Sequence, residues 1–184
     1  SRKQWEIATE QAKKAIETGV NTQFVLGDWL ENDFESSYFD AAVSIECLSH
    51  VEDKSAFFKE AARVIKPDGV LALTAWTSRS PHSKLLESIC KGGRFASLAT
   101  ETELRQWSHD AGIQIESLES IGPSVRKTWS IILGRLVKRV CTRRKYRAFL
   151  WQQLCGDRRL LFITLQVWFA FQTGKLGYVL LNGP

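Results

Sequence analysis

Glu46 and His50 lie four positions apart, directly after the apolar run Phe39-Asp-Ala-Ala-Val-Ser-Ile45. If that segment is helical, the two side chains share one face, and the carboxylate can orient the imidazole. An imidazole titrates near neutral pH and can take a proton from a hydroxyl or an amine. A lone histidine serves structure more often than chemistry, so the pair needs support from the elements around it. His82 and His109 stand in no comparable pattern. The four cysteines, Cys47, Cys90, Cys141 and Cys155, form no CxxC pair and have no histidine doublet nearby. No metal site is expected from them, nor a disulfide framework. They read as reduced, mostly buried thiols of a cytoplasmic protein.

The elements that must position these residues follow from period and punctuation. Gln4 to Glu17 has Trp5, Ala8, Ala12, Ala15 and Ile16 on one stripe and Gly19 as a stop, which predicts a helix. Thr22 to Leu26 predicts a short strand ending at Gly27-Asp28-Trp29, and Phe39 to Ile45 a buried one. Asp53 can cap a helix running to about Lys66, which Pro67-Asp68-Gly69 breaks before a strand from Val70 to Trp76. Thr100 to Ala111 predicts a further helix ended by Gly112, and Ile113 to Leu118 another strand. Alternation of this kind implies a parallel sheet with helices on its faces. After Pro123 come one or two helices over Thr128 to Leu154, an apolar helix over Arg158 to Thr173, and a last strand from Leu176 to Leu181.

The 184 residues suit one domain with a real core. No apolar stretch is long enough to span a bilayer, and the charged opening does not read as a signal peptide. The net charge of +5 conceals a split: residues 1–120 carry 13 Lys and Arg against 19 Asp and Glu, whereas residues 121–184 carry 12 against the single acid Asp157. An anionic partner for the C-terminal third is one implication.

Arg63-Val-Ile-Lys-Pro-Asp-Gly-Val-Leu71 resembles the "RVLKPGG" turn of class I S-adenosylmethionine-dependent methyltransferases. Phe39-Asp40-Ala-Ala-Val-Ser-Ile-Glu46 resembles the family's "FDxVxSxE" strand, and His50 with Asp53-Lys54 its "EHxxDK" sequel. Gly27-Asp28-Trp29 stands where the family ends its third strand with an acid. Ser1-Arg-Lys-Gln4, Thr128-Trp129 and Thr173-Gly-Lys-Leu-Gly-Tyr178 are similar to the branch that includes tocopherol methyltransferases. The resemblance implies a doubly wound, Rossmann-like α/β sheet with S-adenosylmethionine as cofactor. It also implies methyl transfer to a small, apolar acceptor through oxygen, nitrogen or carbon. On that basis Asp28 would accept a hydrogen bond from the adenine amine and Trp29 would wall the adenine. Ser44 would face the methionine portion, and His50 with Glu46 would serve the acceptor. The family's "DxGCGxG" loop and the acid that binds the ribose are not found in these residues, so the expectation is a fragment lacking the N-terminal strands.

Residues 1–122 are then expected to form a partial core, 123–174 a basic and aromatic helical cap, and 175–184 the final strand. Trp129, Ile132, Leu133, Leu136, Val137 and Val140 recur at helical spacing among arginines and lysines. Such a helix can cap an active site or lie on an anionic membrane through residues 128–150. Nucleic acid is not an expected partner, since no recognised module surrounds the charge. The rival to an enzyme fragment is a non-catalytic remnant of the fold that acts as a binding or membrane-surface module.

Overall fold

The computed structural model describes residues 1–16, 19, 21–155 and 159–184. Two compact units are distinguished, Ser1–Phe34 and Glu35–Pro184. In the first, α1 (Arg2–Ile16) is joined to the following segment by the Trp5 indole, which donates to the Phe24 carbonyl at 2.9 Å. Residues 22–26, expected as a strand, belong to no ladder, and Phe24, Val25 and Leu26 are exposed. An isolated run of β-formers lacks the cross-strand partner that fixes a strand. Glu17, at the expected end of the first helix, lies outside the described residues.

The second unit is built on a four-stranded sheet in the order β1-β2-β4-β3. β1 (Phe39–Ile45) runs parallel to β2 (Ile65–Ser78), and β4 (Leu176–Gly183) pairs antiparallel with both β2 and β3 (Ser117–Ser120). The expected parallel α/β sheet is present, with an antiparallel final strand inserted beside β2. β1 departs from expectation: it is not buried, with Val43 and Ile45 72% and 73% exposed. It stands at the edge of this sheet, with β2 as its ladder partner. The strand expected over 113–118 forms later, at Ser117–Ser120. Gln114 and Glu116 instead donate to the carbonyls of Pro184 and Asn182.

Local capping chemistry sets the helices around the sheet. Asp53 accepts from the Ala56 amide at 2.8 Å and starts α2 (Lys54–Val64). Thr100 and Glu103 form a reciprocal capping box at the start of α4 (Glu101–Asp110). α2 ends at Val64, slightly earlier than expected, because Ile65 already enters β2. Gly69 is required by close approach and not by a left-handed backbone. A Cβ there would meet Ile65 Cγ2 at 2.5 Å and the Asp40 carbonyl oxygen at 2.7 Å. α3 (Lys84–Gly93) has no counterpart in the elements expected from sequence.

The C-terminal helical region is α5 (Gly122–Thr142), α6 (Arg144–Cys155) and α7 (Arg159–Gln172). α7 packs on α3, α5 and β4. Leu86, Ile89, Val167, Ala170, Phe171 and Leu176 form a buried core between them. Among the described residues, no helix is long and apolar enough to cross a membrane.

Candidate functional site

The carboxyl end of β1 delivers Ser44, Glu46 and His50 within seven residues of chain. The Glu46 amide donates to the Thr74 carbonyl at 3.0 Å, which continues the β1–β2 ladder by one step. The chain then turns through a left-handed conformation at Glu46, with φ of +55°. For a residue with a Cβ this costs roughly 1–2 kcal/mol, and such strain gathers where a side chain must be aimed. The turn redirects the Glu46 carboxylate onto β4, where the Tyr178 hydroxyl donates to its Oε1 at 2.9 Å. Burial raises the Tyr178 phenol above its usual range, and the Glu46 carboxylate that accepts its hydrogen bond raises it further. Tyr178 therefore stays protonated and acts as a donor.

The helical arrangement of Glu46 and His50 anticipated from their spacing is not adopted. Glu46 lies before a short 3₁₀ turn, Leu48–His50, and its left-handed backbone separates its direction from that turn. His50 has a different orienting group: its Nδ1 is 3.3 Å from the Arg94 carbonyl, which closes α3. A carbonyl can only accept, so this bond requires the proton on Nδ1 and leaves Nε2 as the basic nitrogen. The imidazole is exposed and touches the edge of Phe95, with ring centroids 5.1 Å apart.

From Phe95 an aromatic wall continues. Trp76 meets Phe95, Trp129 and Phe171 at centroid distances of 5.6, 6.1 and 5.9 Å. β2 and β4 place Trp76 and Tyr178 opposite one another in register. Carboxylate, imidazole and aromatic surface thus converge at one end of the sheet, a combination suited to an apolar molecule with one proton to lose.

Two features at this end were not legible as site residues in the sequence. In the sequence Tyr178 belongs to the last strand and to the Thr173–Tyr178 motif, with no site role attached to it. Lys54 was noted only as part of a motif, yet it is 3% exposed. Its Nζ donates to the Val51 carbonyl at 2.8 Å and to Ser97 Oγ at 2.7 Å, and so ties the His50 turn to the segment carrying Phe95. Burial lowers the Lys54 ammonium below its ordinary range, while Cys90 and Glu103 pull it upward. The alternating pattern of the strands and a lysine's usual exposure hid both roles.

Ser44 Oγ is buried and has no hydrogen-bond partner. A hydroxyl in that state at a strand end suits a polar ligand group. In the N-terminal unit, Asp28 is exposed and precedes a 3₁₀ turn, Trp29–Glu31, instead of ending a strand. Its Oδ1 accepts from the Leu30 amide at 3.0 Å, and Trp29 is half-buried. The cysteines differ from expectation, since Cys47 and Cys141 are exposed and Cys90 is half-buried. The Cys155 side chain lies outside the described set. Among the described residues, no group of three or more His, Cys, Asp or Glu could hold a metal ion.

Residues 1–73 match a family described as the methyltransferase domain. The chain is 32% identical over 123 residues to 2-methyl-6-phytyl-1,4-hydroquinone methyltransferase of Synechocystis, a match covering 63% of this chain and 37% of that protein. It spans between about a third and a half of the length of the first curated relatives it matches. Among solved structures, a candidate sarcosine dimethylglycine methyltransferase from Galdieria sulphuraria superposes with a TM-score of 0.81 at 20% identity, covering 100% of this chain and 65% of that one. Geranyl diphosphate methyltransferase in complex with S-adenosylmethionine gives 0.76 at 16% identity, with the same coverage. Residues 1–73 thus match the methyltransferase-domain model, and the chain shares its fold with these solved methyltransferases.

Proposed function

We propose that the chain supplies the acceptor side of an S-adenosylmethionine-dependent methyl transfer to a small, apolar molecule, through oxygen, nitrogen or carbon. The observation that carries this reading is the Glu46 carboxylate, turned out of β1 by a left-handed backbone and fixed by the buried Tyr178 hydroxyl beside the aromatic wall. Bound S-adenosylmethionine supplies an electrophilic methyl group. In the second unit Ser44, with its unpartnered buried hydroxyl, would meet the cofactor's methionine portion, while the adenine role of Asp28 and Trp29 in the first unit rests on the family resemblance alone. Glu46 and His50 orient the acceptor and take its proton at a carboxylate oxygen or at Nε2. Trp76 and Phe95 exclude water and present apolar surface. Similar proteins are named for a phytyl hydroquinone, sarcosine and geranyl diphosphate, which agrees with a small acceptor and leaves the acceptor atom open.

The 184 residues contain no glycine-rich "DxGCGxG" loop, so by themselves they hold the cofactor weakly. The test therefore uses an extended chain, in which the family's glycine-rich segment precedes residue 1. Single-turnover methyl transfer is measured for wild type, Glu46→Gln, Tyr178→Phe and the double variant. If Tyr178 acts through Glu46, the double variant is no slower than Glu46→Gln alone. Losses that multiply would separate the two residues and remove the basis of this reading.

A further inference from the structure

A second surface, far along the chain from Glu46, carries an observation of its own. Residues 121–155 contain nine Lys and Arg and no Asp or Glu. Among the described residues, none of these cations forms an ion pair with a carboxylate. Arg139 donates to the Tyr146 hydroxyl at 3.0 Å, and Arg147 to the Cys141 carbonyl at 3.1 Å, contacts that fix geometry and leave the charge in place.

Apolar side chains stand exposed among these charges. α5 runs for 21 residues without one buried residue. Its Trp129 packs toward the body of the unit against Trp76 and Phe171. Ile131 and Ile132, in contrast, are 52% and 44% exposed. They share helical spacing with Arg135, Lys138 and Arg139, so apolar and cationic groups occupy one outward face. On α6, which packs on α5, Arg144 and Lys145 precede Trp151, which is 70% exposed.

We propose that α5 and α6 form an interfacial surface for a lipid bilayer carrying anionic headgroups. Headgroup phosphates complement the unpaired cations, while Ile131, Ile132 and Trp151 enter the headgroup boundary. A nucleic acid would use the charge but gain nothing from exposed isoleucines. No described helix can span the bilayer, so the helices lie along its surface.

The experiment sediments the 184-residue chain with phosphatidylcholine vesicles, with and without phosphatidylglycerol. The expected result is binding to the anionic vesicles and release at about 1 M salt, where the Debye length falls to about 3 Å. Arg135→Gln with Lys138→Gln should weaken binding by about 25-fold, at about fivefold for each charge. Ile131→Ser with Ile132→Ser should weaken it as well, with circular dichroism unchanged in both variants. Equal binding to neutral vesicles, no vesicle binding, or sedimentation without vesicles would overturn the proposal. Retention of binding by the isoleucine variant, together with capture of a DNA duplex, would replace it with a nucleic-acid surface.

Discussion

At His50 the Arg94 carbonyl decides which nitrogen is basic, and that assignment has a kinetic consequence. With Nδ1 donating at 3.3 Å, Nε2 is free to receive the acceptor's proton. In the extended chain, His50→Ala should therefore slow single-turnover methyl transfer by about 10²- to 10⁴-fold. It should also remove the pH dependence that an imidazole base imposes, with cofactor affinity nearly unchanged. A folded variant within about threefold of wild type would make His50 structural. Asp28 is tested separately: Asp28→Ala should weaken S-adenosylmethionine binding in calorimetric titration by about 1–3 kcal/mol, the cost of leaving an amine donor unpaired. Equal affinity would leave Asp28 as the cap of the Trp29–Glu31 turn. At this scale the sequence reached the right neighbourhood but not the pairing. The spacing of Glu46 and His50 suggested partners, yet a left-handed Glu46 sends its carboxylate to Tyr178, 132 positions away. No local period can report a bond of that separation.

Among the elements, legibility followed local chemistry. Asp53 caps α2 as expected and Thr100 caps α4, but Pro67-Asp68-Gly69, expected to separate helix from strand, lies within β2, which already begins at Ile65. Strand status depends on distant partners, which is why residues 22–26 form no ladder despite apolar composition, and why β3 begins later than its hydrophobic pattern implies. The turn carrying His50 is held by Lys54, and this makes a prediction about pH. Burial lowers the folded-state pKa of Lys54 below 10.5, so the folded chain releases this proton before the unfolded chain does. Between the two titrations the unfolded chain binds more protons, and the stability contribution of Lys54 rises with pH. Lys54→Met should cost about 1–3 kcal/mol near neutral pH by unpairing the Val51 carbonyl and the Ser97 hydroxyl. The difference between wild type and variant should then grow as pH approaches 10.5, measured by urea denaturation across that range. A difference that stays flat would mean that burial does not govern this lysine.

Across the whole chain, two signals in the sequence have different standing. The motifs around β1 and β2 pointed to a methyltransferase sheet, and the family match and the fold both agree. The charge split pointed to an anionic partner, and the unpaired cations of α5 and α6 keep that open to experiment. The central claim, that these residues serve methyl transfer to a small apolar acceptor, is tested most directly by following label from methyl-labelled S-adenosylmethionine. The extended chain is incubated with phenol, amine and isoprenoid acceptors, and Glu46→Gln is run in parallel. The account predicts labelled product from at least one acceptor class and a loss of about 10²-fold or more in the variant, with cofactor binding retained. Cofactor binding with no acceptor labelled in any class, or product formation that Glu46→Gln leaves unchanged, would contradict it.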